Sequence, residues 1–418
     1  MIEISAEVFA NTCNRDGEFR IAARHWTGTL QLQWGDGSVA LKLVDGAASE
    51  DAGTRSDVGR VSLSASREVW VKFLSSKPPR FFNDIANLAQ SGDMLVDADP
   101  VLFAQYYPAV TRALELLRPP LEVPEPASGK HSGTFDAPVG RYVHLDLGGA
   151  DHRIYFEEAG AGIPLLLQHT AGCHGSQWRH LFEQPEVTSR FRLIAYDLPF
   201  HGKSLPPAGR EWWAEEYRLT AKFLRSVPVA LAETLGLERP VFMGCSVGGL
   251  LALDLALNHP DVFSAVISVE GALKIDTDFE TLGLLWHPQV SNEYKARLMD
   301  ALMSPTSPKA YRKETSQVYA AGWPPAFMGD LWYYVADFDL RQTARKIDTS
   351  KVSVDILNGE YDTSGSMELG REAHAAIAGS TWTGMDGVGH FPMSENPQAF
   401  MTYLLPILDG IASRRHAK

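Results

Sequence analysis

Beyond residue 140, short apolar runs alternate with stretches whose apolar positions recur every three to four residues. The runs fall at 142–147, 153–157, 164–168, 192–196, 240–243, 264–269, 352–357 and 380–385. Each is the length of a strand, and stretches such as 227–235 and 250–257 carry helical periodicity. This alternation predicts a mostly parallel sheet covered by helices. The first two runs are separated only by residues 148–152, so they are expected to pair as an antiparallel hairpin.

The first 120 residues follow a different pattern. Leu30, Leu32 and Trp34 alternate with polar residues, and so do Val39, Leu41 and Leu43. Gly35-Asp36-Gly37 lies between them, which predicts a β-hairpin with one buried face. A third strand is expected at 61–64, and helices at 67–74 and 101–117, the latter started or kinked by Pro108. The expectation is a small α+β domain over 1–120, without an acid, base or nucleophile constellation. Residues 121–138 read as a linker, because 119–133 are rich in proline, glycine and serine. The α/β domain then occupies 139–418. Between its sixth and seventh strands, 273–343 break the alternation and bring many aromatics, among them Trp286, Trp323 and Tyr334.

Composition narrows the partners. The chain has 418 residues and a formal net charge of −13, which argues against nucleic acid or an anionic membrane surface as a partner. The three cysteines, Cys13, Cys173 and Cys245, are scattered and indicate neither a disulfide framework nor a metal site. No apolar stretch is long enough to span a bilayer, and the first residues do not resemble a signal peptide. The expected location is the cytoplasm.

In a parallel sheet, ligands gather beyond the carboxyl ends of the strands. After the fifth run comes Gly244-Cys245-Ser246-Val247-Gly248, followed by an apolar helical pattern. A G-x-S-x-G between a strand and a helix lifts the serine out of the sheet, with glycines where side chains would clash. A chain of this length gives on the order of 0.1–0.2 such matches by chance, so the pattern needs company. His169-Thr170-Ala171 follow the third run and Asp197 to Ser204 the fourth. Glu270 follows the sixth, Glu360-Tyr361-Asp362 the seventh and Gly389-His390-Phe391 the eighth.

This ordered set resembles the α/β-hydrolase superfamily, in its branch with a helical cap, over about two thirds of the chain. The resemblance implies Ser246 as nucleophile, Asp362 as acid and His390 as base, with Glu270 as the alternative acid. It places the oxyanion hole at the amide N–H groups of Val247 and of Ala171 or Thr170. It places the cap at about 273–343, with His169, Phe200, Trp286, Trp323 and Phe391 as candidates to line a roomy apolar pocket. The implied activity is a serine hydrolase acting on an ester, lactone or related acyl bond of a fairly large apolar small molecule. Carbon–carbon bond hydrolases, thioesterases and perhydrolases share the same triad. Epoxide hydrolases and dehalogenases require aspartate at the elbow, so Ser246 argues against them. No metal or cofactor is implied. The N-terminal domain resembles the sterol-carrier-protein fold in its hairpin, Asp45-Gly46, Glu68 and Trp70, and Gly92-Asp93 before Phe103. A docking or homodimerisation module is the alternative there. A non-catalytic lipid or small-molecule carrier is the alternative for the whole chain.

Overall fold

The computed structural model describes residues 4–51, 58–126 and 133–416. Of the expected linker, residues 127–132 lie outside the described residues. The chain divides into two compact units: Met1–Val123 with His287–Ala301, and Pro124–Trp286 with Leu302–Lys418.

The first unit holds a five-stranded sheet in the order β3-β2-β1-β4-β5. Its strands are β1 (Gly28–Trp34), β2 (Gly37–Val44), β3 (Ala47–Glu50), β4 (Arg60–Ala65) and β5 (Met94–Ala98). The hairpin β1–β2 forms as the alternation predicts, and β4 lies parallel to β1. Leu30, Leu32, Leu41 and Leu43 turn inward onto Trp26, Phe19, Trp70 and Tyr107, which fill the interior. The two indoles are satisfied by backbone: Trp26 Nε1 donates to Gly59 O at 3.0 Å and Trp70 Nε1 to Gln33 O at 2.7 Å. Pro108 sits inside the helix Pro100–Glu115, which continues through it. Part of the segment expected as a cap folds here. In the helix Asn292–Asp300, Arg297 is buried, donates to Thr111 Oγ1 at 2.7 Å and pairs with Glu115 and Asp300. A buried guanidinium is tolerable only when its donors are used in this way.

The second unit is an eight-stranded sheet in the order β13-β12-β11-β10-β8-β9-β7-β6. Its strands are β6 (Val139–Leu147), β7 (Ala150–Ala159), β8 (Ile163–Gln168), β9 (Phe191–Tyr196), β10 (Val241–Cys245), β11 (Ala265–Val269), β12 (Ser353–Gly359) and β13 (Thr381–Met385). β6 and β7 form the expected antiparallel hairpin, and β8 to β13 run parallel to one another. The central strands are buried along their whole length, so they read as continuous apolar runs and not as alternation. The helix Val247–Asn258 is apolar on nearly every side because it is buried from Val247 to Ala256. No helix among the described residues is long and apolar enough to cross a membrane.

Candidate active site

β10 runs into Ser246 and then directly into the helix Val247–Asn258. Ser246 takes φ 59° and ψ −115°, a conformation that costs a non-glycine residue roughly 1–3 kcal/mol. The turn is held by Ser246 N–H donating to Val269 O and Leu250 N–H donating to Ser246 O, each at 2.9 Å. A Cβ at Gly244 would come within 2.4 Å of Gly248 O, and one at Gly248 within 2.9 Å of Gln168 O. Both glycines are therefore required by close backbone approach. The helix N-terminus behind the serine favours negative charge in front of it.

The loops after β12 and β13 bring Asp362 and His390 together. His390 Nδ1 lies 2.7 Å from Asp362 Oδ2, and both residues are almost completely buried. Asp362 also accepts from the amides of Ser364, at 2.7 Å, and Gly365, at 2.9 Å. Phe391 packs edge-on against the His390 ring at 4.8 Å and is itself fully buried. The histidine loop is anchored by His390 N–H donating to Leu302 O at 2.9 Å. Behind it, Glu395 Oε1 accepts from Gly389 N at 2.7 Å, Ser307 Oγ at 3.0 Å and Ser304 N at 3.2 Å. Burial pushes the Glu395 carboxyl up to about 7 against these donors.

Glu270, at the end of β11, does not meet His390 in any hydrogen bond. Both its oxygens accept from Gly359 N, at 3.0 and 2.9 Å, and its carboxyl is hydrogen-bonded to Asp362. Burial first, and the charge of Asp362 second, push it well above the usual carboxylate range.

The loop after β8 separates the two amides offered for the second oxyanion position. Thr170 N–H is spent on Gln177 Oε1 at 3.0 Å. Gly172 N–H is spent on Asp330 Oδ2 at 2.8 Å, an oxygen that also meets His201 Nε2 at 2.8 Å. Burial would lower the His201 pKa, but the Asp330 carboxylate outweighs it and raises it. Neither Ala171 N–H nor Val247 N–H meets an acceptor among the described residues. The Thr170 hydroxyl bonds both Gln177 Oε1, at 3.0 Å, and the Tyr319 hydroxyl.

The residues expected to line a pocket have different fates. His169 is sealed in the fold: Nδ1 meets Thr170 O at 2.7 Å and Nε2 accepts from Leu198 N at 3.1 Å. Burial holds its pKa well below the ordinary value, so the ring is a neutral staple of the loop. Phe200, at φ 73°, packs against Trp323 with ring centroids 6.3 Å apart. The two line both a cavity of about 420 Å³ beside Gly172 and Cys173 and one of about 450 Å³ beside Trp212 and Tyr217. Ser246 lines neither. Trp286 is 47% exposed and lines neither as well. Tyr334 is a residue the sequence does not distinguish: its hydroxyl lies 2.9 Å from Ser364 Oγ, in the loop that carries Asp362.

The sequence profile of the alpha/beta hydrolase fold family matches residues 163–397. The chain is 24% identical over 268 residues to a pimeloyl-[acyl-carrier protein] methyl ester esterase from Vibrio vulnificus, covering 60% of this chain and 96% of that protein. Among solved structures, an esterase from Exiguobacterium antarcticum matches 64% of this chain and 98% of its own, with a TM-score of 0.55 and 19% identity. The enol-lactonase from Burkholderia xenovorans matches 64% of this chain and all of its own, with a TM-score of 0.51 and 21% identity.

Proposed function

The chain belongs to the α/β-hydrolase fold family, and we propose that it is a serine hydrolase cleaving an ester, lactone or related acyl bond. Ser246 Oγ attacks the acyl carbon while His390 takes its proton. Asp362, bonded to Nδ1, fixes the ring and stabilises the imidazolium. The amides of Val247 and Ala171 receive the oxyanion, each worth roughly 3–4 kcal/mol in the transition state. His390 returns the proton to the leaving oxygen, and water repeats the cycle on the acyl-enzyme. The carrying observation is the bond of His390 to Asp362 beside a serine held at positive φ. Ala171 is preferred over Thr170 because its N–H is unspent. The relatives named esterase and lactonase support the bond type.

We propose a fairly large apolar substrate under a cap formed from those parts of 273–343 that fold in the second unit, 273–286 and 302–343, supported by Phe200 and Trp323 beside the cavities. For the first unit, the five-stranded sheet supports the sterol-carrier-like reading, and its aromatic-filled interior supports the docking or homodimer reading. The test of the main reading is turnover of p-nitrophenyl esters together with fluorophosphonate labelling. Ser246→Ala should abolish both, a loss of about 10⁵–10⁶ in kcat, with an unchanged melting profile. A wild-type protein that neither turns over nor labels is a carrier and not an enzyme.

A further inference from the structure

The helix Pro324–Leu331 lies in the segment expected as a cap, and its Asp330 is fully buried. This helix approaches the loop after β8 very closely. A Cβ on Gly172, which has φ 62°, would come within 2.5 Å of the Phe327 ring, and one on Gly329 within 2.5 Å of Tyr217 O. Leu219 N–H donates to Gly329 O at 3.0 Å. Three donors reach the Asp330 carboxylate. Gly172 N–H and His201 Nε2 meet Oδ2, each at 2.8 Å, and the Tyr217 hydroxyl donates to Oδ1 at 3.3 Å. His201 Nδ1 lies 2.9 Å from Pro199 O. The carboxylate and the carbonyl can only accept, so the ring carries a hydrogen on each nitrogen and is an imidazolium.

We propose that Asp330 is a positioning residue for the oxyanion: by gripping the Gly172 amide it fixes the direction of the Ala171 N–H beside it, while His201 neutralises its charge. The inference rests on Ser246 being the nucleophile and on the Ala171 N–H receiving the oxyanion. That N–H belongs to the planar Thr170–Ala171 peptide, so its direction is set by whatever holds the Thr170 carbonyl. His169 Nδ1 at 2.7 Å and Cys173 N–H at 3.3 Å hold it. The second of these bonds closes a short turn that runs through Gly172, a residue type whose backbone has many conformations open to it. Fixing the Gly172 amide keeps the turn closed, and the peptides on both sides of Ala171 are then held at once. The histidine answers a problem of charge. A bare carboxylate one residue from the oxyanion would repel it, the more strongly as water is excluded. The His201 imidazolium on the same oxygen cancels that field and leaves the acceptor in place.

The test uses the full chain, with Asp330→Ala and Asp330→Asn compared to wild type. Steady-state turnover of a p-nitrophenyl ester is read beside inhibition by a trifluoromethyl ketone of similar size. With the ketone, Ser246 Oγ bonds to the carbonyl carbon, His390 takes the hydroxyl proton, and the carbonyl π pair moves to the oxygen, leaving a stable oxyanion. Asp330→Ala should lower kcat by about 10- to 100-fold and raise the inhibition constant of the ketone by the same factor, with KM changed by less than about threefold. Asp330→Asn keeps an oxygen for the Gly172 amide and should recover most of this, ending about 3- to 10-fold below wild type in both readings. A merely structural aspartate would lower the melting temperature and leave the kcat and the ketone affinity of the folded protein unchanged. A merely pocket-lining one would raise KM alone. Either result overturns the proposal while wild type still turns over and binds the ketone. Where Asp330→Ala does not fold, Asp330→Asn decides, and an unchanged ketone affinity in it overturns the proposal. A wild-type protein inert to both ester and ketone overturns the nucleophile assignment, and Asp330 falls with it.

Discussion

Glu270 and Asp362 follow the neighbouring parallel strands β11 and β12, are fully buried, and are hydrogen-bonded to each other. Their surroundings differ in donors. Two amides and the His390 ring converge on Asp362. Glu270 has one amide, that of Gly359, shared between its two oxygens. Burial and the charge of Asp362 both push the Glu270 carboxyl up, and Glu270 has the fewer donors to oppose them. Gly365 makes the arrangement possible, since a Cβ there would come within 2.3 Å of Glu270 O and 2.9 Å of Asp362 Oδ2. The two acids are thus distinguished by the hydrogen bonds that reach them.

The largest effect is expected at the member of the pair with more donors. Asp362→Asn replaces the carboxylate that faces His390 Nδ1 with a neutral amide of the same shape. It should cost about 10³–10⁴ in kcat on a p-nitrophenyl ester, because the wrong tautomer is favoured and the imidazolium loses its counter-charge. A loss below about tenfold would transfer the acid role to Glu270 and break the comparison.

That contrast also marks what was legible in the chain. Ser246, Asp362 and His390 could be named as candidates because each lies in the loop after an apolar run, and strand ends converge in a parallel sheet; His390 and Asp362 do meet. The donors that separate Asp362 from Glu270 come from Ser364, Gly365 and Gly359, and no local pattern announces a backbone amide. Gln177, seven residues on, takes up the Thr170 amide and so supports Ala171 over Thr170, and only the folded loop brings it there. His169 read as a pocket residue because it follows a strand, yet backbone groups claim both its nitrogens. The contact of Tyr334 with Ser364 Oγ was not legible either, because the residue sits on a π-turn, Trp332–Asp337, which apolar periodicity does not encode. The same segment contributes His287–Ala301 to the first unit, through a buried Arg297 two of whose partners, Thr111 and Glu115, lie far away in sequence. β3, β5 and the helices Ala6–Arg15 and Gly17–Ala23 were missed for their shortness, since four to ten residues carry too little periodicity.

Glu395 is an intermediate case that sharpens the rule. It has more donors than Glu270, but those in hydrogen bonds meet Oε1, while Oε2 is buried without a partner. Burial wins in part, and its pKa rises to about 7. Between its ordinary value and 7, the folded state then binds a proton that the unfolded state has lost. Stability contributed by this group therefore falls as pH rises through that window. Glu395→Gln keeps an oxygen for the same donors and removes the titration. Relative to this variant, wild type should lose on the order of 3 kcal/mol between about pH 4.5 and 7.5, read from urea midpoints at several pH values. A pH-independent difference would mean that Glu395 is charged in the fold, and that donors on a single oxygen suffice.

The smallest effect on rate is expected at Glu270. If it is neutral in the folded protein, glutamine reproduces both its shape and its charge, and Glu270→Gln should keep kcat within about threefold. Its signature is in stability. Wild type must take up a proton at Glu270 on folding at any pH above the ordinary glutamate value, and the variant need not. Raising the pH should therefore favour the glutamine variant progressively, starting near pH 4.5 and continuing until the raised carboxyl itself ionises. Denaturation of both proteins at pH 5 and pH 8, with kcat measured alongside, separates the possibilities. A variant that loses activity as Asp362→Asn does would show that the charge of Glu270 is needed. A stability difference that does not move with pH would show that the proton sits on Asp362, reversing the assignment made from their donors.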